Sequence, residues 1–105
     1  MSKQILLPTS NIGRRRTIIS QLGQRVKLVI EDEIVRRQST APNKAIVFQK
    51  IRFEEDGRVE FRFGYYMIGR KAGAKGRWVW GQYALLIPKR DLRYLLKKAQ
   101  SKGWF

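Results

Sequence analysis

From Glu60 to Ile87 the chain reads EFRFGYYMIGRKAGAKGRWVWGQYALLI. Just before and within it, Val59, Phe61, Phe63, Tyr65 and Met67 take every second position, with Arg58, Glu60, Arg62 and Tyr66 among the positions between. Successive side chains of a strand point to opposite faces, so this alternation predicts a strand with one apolar and one basic, aromatic face. Beyond the loop from Gly69 to Arg77 a further strand is expected. Val79, Tyr83, Leu85 and Ile87 would share one of its faces; Trp78, Trp80 and Gln82 would share the other.

Working outward, Ala45, Val47, Ile51 and Phe53 share a face of an earlier strand, with Lys50 and Arg52 opposite. Glu54-Glu55-Asp56-Gly57 predicts the turn between the two, because Asp-Gly suits the positive φ of a hairpin. Pro88 marks the start of a helix in which Leu92, Leu95, Leu96 and Ala99 form one apolar stripe. Gly103 is expected to end it, leaving Trp104 and Phe105 as an apolar tail. Ser39-Thr40-Ala41-Pro42-Asn43 is a breaker cluster and a candidate boundary. Before it, Ile19, Leu22, Val26, Val29 and Ile30 recur at helical spacing, which predicts an amphipathic helix. A strand through Val26, Leu28 and Ile30, with Gly23 as a break, competes with it. The expected organisation is a basic arm over 1–16, a helix and linker over 17–43, and a sheet with a C-terminal helix over 44–105.

Composition narrows the function. The 105 residues hold 23 Lys and Arg against 8 Asp and Glu, a formal charge of +15. Such a chain repels itself and favours an anionic partner. Cysteine and histidine are absent. That removes disulfides, zinc sites built on those residues, and histidine acid–base relays. No apolar run approaches a membrane span, and the expected setting is the cytoplasm, nucleoid-associated or free. No serine has a candidate base beside it, so neither a catalytic group nor a cofactor is expected. The clusters Glu31-Asp32-Glu33 and Glu54-Glu55-Asp56 read as surface and turn rather than as a metal site, since adjacent carboxylates do not converge on one face.

Single-stranded nucleic acid is held by cationic tracks for phosphates and aromatic platforms for bases. Tyr66, Trp78 and Trp80 are the candidate platforms. Lys50, Arg52, Arg58 and Arg62 are the candidate backbone contacts, with Arg70, Lys71, Lys75 and Arg77 wrapping from the glycine loop. Arg14, Arg15 and Arg16 are possible arm contacts. Each feature also has a plain structural explanation: strand aromatics pack in cores or dimer interfaces, and arginines alternate on solvated faces. The loop lacks the Gly-Lys-Ser/Thr ending of a Walker motif and leads into a strand. A duplex DNA or structured RNA binder using the arm, and an interaction module docking on an acidic protein, are the competing functions.

From about Lys44 to Gln100 the layout resembles the single-stranded DNA-binding module of positive cofactor four and the Whirly transcription regulators. The resemblance rests on Phe53-Glu54-Glu55-Asp56-Gly57, the arginine-alternating strand ending Tyr65-Tyr66-Met67, the Gly/Lys loop, Leu86-Ile87-Pro88, and Asp91-Leu92-Arg93-Tyr94-Leu95-Leu96. It implies a curved sheet that binds single strands through Arg58, Arg62, Arg77 and Trp78. It also implies a homodimer formed through the C-terminal helices. With the helix read from the spacing of Ile19, Leu22, Val26, Val29 and Ile30, which has no counterpart in that family, the fold expected is α+β: an N-terminal helix, a curved antiparallel sheet of three to four strands, and a C-terminal amphipathic helix.

Overall fold

The computed structural model describes residues 6–69, 76–81 and 83–105. Five strands form one antiparallel sheet in chain order: β1 (Arg15–Ile19), β2 (Arg25–Gln38), β3 (Ala41–Phe53), β4 (Val59–Ile68) and β5 (Trp78–Trp80). The sheet curls into a half-barrel, and α1 (Lys89–Ser101) follows it. No helix among the described residues is long and apolar enough to cross a membrane.

The helix expected within 17–38 does not exist; that segment is the end of β1, the hairpin turn and the whole of β2. Val26, Val29, Ile30, Ile34 and Val35 are β-branched, which suits a pleated surface better than a helical one. Ser20 and Gln24 close the hairpin turn through a 2.8 Å backbone bond, and Gly23 supplies its positive φ of 77°. Leu22, counted above on an apolar helical stripe, sits in that turn and is 85% exposed. The breaker cluster is also a hairpin. Gln38 pairs with Ala41 across Ser39 and Thr40. Pro42 falls where the register shifts, so its missing N–H interrupts no regular ladder.

A second register shift, between Ile30 and Asp32, determines which side chains meet. The extra residue reverses the alternation of β2. Leu28 and Ile30 therefore join Ile51, Ile18 and Phe53 on one face, called here the open face. Ile34 joins Ile46, Phe48, Leu95, Ala99 and Trp104 on the other, the helix face.

The helix buries Asp91, Leu95 and Ala99 rather than the full predicted stripe, and Leu96 remains 39% exposed. Its end is closed by Gly103 N–H donating to Gln100 and Trp104 N–H donating to Ala99, each at 3.0 Å. This Schellman arrangement turns Trp104 back onto Phe48 and Phe61, with centroids at 5.0 and 5.7 Å. The last strand is shorter than expected. It ends at Trp80, after which Leu85 and Ile87 pack on the helix-side core while Tyr83 and Leu86 are exposed.

Candidate nucleic-acid interface

Alternation along β4 places Arg62, Gly64 and Tyr66 side by side on the open face, and pairing of β4 with β5 brings Trp80 opposite Tyr66 and Trp78 opposite Ile68. Gly64 is what lets the indole of Trp80 lie against the sheet. A Cβ there would stand 2.2 Å from the Trp80 ring. The ring is held on both flanks. Tyr66 meets it edge-on at 5.1 Å, and the Arg62 guanidinium lies 5.2 Å from its centroid. Trp80 keeps 37% of its surface exposed. Trp78 is half-buried, with Arg37 5.6 Å from its ring, and its Nε1–H donates to the Leu6 carbonyl at 2.6 Å. Both indoles lie away from the helix; the one packed beneath it is Trp104.

A buried polar network holds these groups from behind. Glu33, 8% exposed, accepts from Asn11 N–H and Asn11 Nδ2, both at 3.2 Å, and from Gln49 Nε2 at 2.5 Å. Gln49 in turn accepts at Oε1 from Arg62 Nε at 3.0 Å and Nη2 at 2.7 Å. Asn11 also donates to the Tyr66 hydroxyl at 3.0 Å. Such fully satisfied networks orient the side chains they carry. Burial pushes the pKa of Arg62 below its ordinary value and nearby Arg16 adds to that; Tyr66 and Glu33 act in the opposite direction. Sequence reasoning missed Asn11, Glu33 and Gln49. The one available signal was Gln49 among the apolar residues of β3, and it carried no indication of its partners.

The structure does not bring all the proposed contacts together. Lys50 pairs with Phe61, and Phe61 stacks on Trp104, so Lys50 and, two residues on, Arg52 lie on the helix face. Both engage Glu31, Arg52 at 2.5 Å and Lys50 at 3.9 Å. The cause is the loop from Glu54 to Gly57. An even number of loop residues pairs even positions of β3 with odd positions of β4, which separates Lys50 from Arg62. Arg58 lies at the far end of β4, bridged to Asp56 at 2.7 Å and Glu60 at 3.1 Å. Arg70, Lys71 and Lys75 lie outside the described residues, as does Gln82. Of the arm arginines, Arg15 points to the helix face and meets Glu54 at 3.3 Å. Arg16 lines the pocket beside Arg62 and Trp80, and Arg14 lines a groove with Arg77, Trp78 and Tyr66.

Arg15, Arg36 and Arg52 are each spent on a carboxylate on the helix side. Among the described residues, Arg14, Arg16, Arg62 and Arg77, which line the open face beside the aromatic rings, form no salt bridge. The three neighbouring carboxylates do not converge either: Glu31 goes to Arg52, Asp32 to Lys102 and Trp104, Glu33 to Asn11 and Gln49. Compared with protein-family models, curated proteins and solved structures, the chain matches none.

Proposed function

We propose that this chain is a non-enzymatic nucleic-acid-binding protein that takes single-stranded DNA or unpaired RNA on the open face of its sheet. The observation that carries this is a juxtaposition: Arg14, Arg16, Arg62 and Arg77, which form no salt bridge among the described residues, line the same grooves as Tyr66, Trp78 and Trp80. Bases stack on the rings, each contact contributing about 1–3 kcal/mol, while the guanidinium groups neutralise phosphates. Lys50 and Arg52 have no part in this surface.

Titration of tryptophan fluorescence with single- and double-stranded DNA and RNA at several salt concentrations tests the proposal. Single strands are expected to quench Trp80 and to bind more tightly than duplexes. With four phosphates neutralised, log affinity should fall against log salt with a slope of about −3, at roughly −0.7 per contact. Replacing Trp78 and Trp80 together with Ala should weaken binding and leave the helix-side core folded. A salt-insensitive one-to-one complex with an acidic protein, undisturbed by competing polynucleotide, would replace this function with that of an interaction module.

A further inference from the structure

A pocket of about 260 Å³ opens on the open face, walled by Ile18, Ile30 and Trp80 and rimmed by Arg16, Arg62 and Tyr66. The side-chain acceptors of Gln49 and Asn11, and of Glu33 behind them, are engaged. Gln49 Oε1 takes two bonds from Arg62, Asn11 Oδ1 takes one from Arg16 at 3.4 Å, and the Glu33 carboxylate is buried behind three donors. The Tyr66 oxygen accepts from Asn11, which leaves its own O–H to give. What remains toward the pocket is a set of donors beside an indole.

Arg62 sharpens this. Gln49 occupies the side edge of its guanidinium, at Nε and Nη2. The end edge, with Nη1 and the second N–H of Nη2, has no partner among the described residues. That edge is a parallel fork, suited to two adjacent acceptors on one rigid ligand. Among the bases, guanine presents O6 and N7 side by side and unpaired cytosine presents N3 and O2, whereas adenine sets a donor amine beside its N7. Of guanine and cytosine, the purine offers the larger ring to Trp80. Adenine would place its amine against an arginine donor. Two guanidinium groups facing one pocket without an opposing carboxylate also favour an acceptor-only edge.

We propose that this pocket takes one unstacked guanine, its O6 and N7 accepting from the end edge of Arg62 and its ring packed against Trp80. The inference rests on the single-strand function above and adds a base preference to it. The test measures binding of the intact chain to labelled oligothymidylates that carry one central guanine, adenine or 7-deazaguanine. Guanine should tighten binding about tenfold over adenine, and 7-deazaguanine, which lacks N7, should lose most of that gain. This comparison needs no variant, so misfolding cannot obscure it. Arg62→Lys, which keeps the charge and loses the fork, should weaken every complex and erase the preference for guanine. Equal affinity for the three oligonucleotides would overturn the guanine pocket and leave the single-strand surface standing, with the two arginines serving phosphates. Failure to bind any of them would overturn both.

Discussion

At Gly64 a single missing Cβ creates the platform. Strand glycines ordinarily weaken a sheet, because they pack nothing and lose more backbone freedom on ordering. Here the vacancy is filled by Trp80, whose ring covers the position and is gripped by Tyr66 and Arg62. Gly64→Ala should displace the indole while leaving the strand paired, since Ala tolerates extended backbone. Affinity for single strands is expected to fall by about fivefold or more, the worth of one stacking contact. Tryptophan emission and oligonucleotide affinity measured together check this. A shifted indole with unchanged affinity would remove Trp80 from the binding surface. Neither the glycine nor its tryptophan is informative alone, because they lie 16 positions apart and meet only once β4 and β5 pair.

The helix is attached by a charge as well as by its apolar side chains. Asp91, fully buried, accepts from Arg36 Nε at 2.7 Å and from the backbone N–H and hydroxyl of Ser39 at 2.9 and 3.2 Å. It thereby ties α1 to the β2–β3 turn. Burial alone would raise its pKa, but these hydrogen bonds outweigh burial and hold it below the ordinary 3.8. The folded state thus binds the proton less readily than the unfolded chain. The stabilisation is therefore complete above the ordinary value and is lost as pH falls through the folded one. Asp32, held low by Glu33 N–H, Lys102 and Trp104 against a burial effect that raises it, adds to the same acid sensitivity. Asp91→Asn should cost about 1–3 kcal/mol at neutral pH and flatten the loss below about pH 4. Urea denaturation across that range gives both quantities. A wild-type midpoint unchanged on acidification would refute the anchoring role. Asp91 lies outside the apolar stripe of Leu92, Leu95, Leu96 and Ala99 that the sequence shows, because its partners Arg36 and Ser39 come from another hairpin.

Across the whole molecule, the charge of +15 has two opposite consequences. The free protein repels itself, and salt screens that repulsion over a Debye length of about 10 Å at 0.1 M. Raising salt should therefore raise the thermal midpoint of the free protein. The same increase should weaken an oligonucleotide complex, because counterions released into a saltier solution gain less entropy. Thermal melts with and without a single strand, from about 20 to about 200 mM salt, should converge. Midpoints that rise together would show that the polyanion takes no part in relieving the charge. Ion pairs alone do not reveal this balance: Arg15, Arg36 and Arg52 are matched locally, while Arg14, Arg16, Arg62 and Arg77 beside the rings and Arg90, Arg93, Lys97 and Lys98 on α1 form no salt bridge among the described residues.

The amino-acid sequence by itself determined the alternation of β3 and β4, the Asp-Gly turn between them, the helix after Pro88 and the excess of positive charge. Period-two patterning, turn residues and net charge are local quantities, readable without knowing what packs where. Only the tertiary structure decided that 17–38 is hairpin and strand, that Lys50 and Arg52 stand apart from Arg62, and that Asn11, Glu33 and Gln49 sit behind the rings. Those outcomes depend on a loop of even length and one extra residue near Glu31. Each exchanges the face to which a whole strand segment points, and residues far apart in the chain settle that exchange by the core they can share.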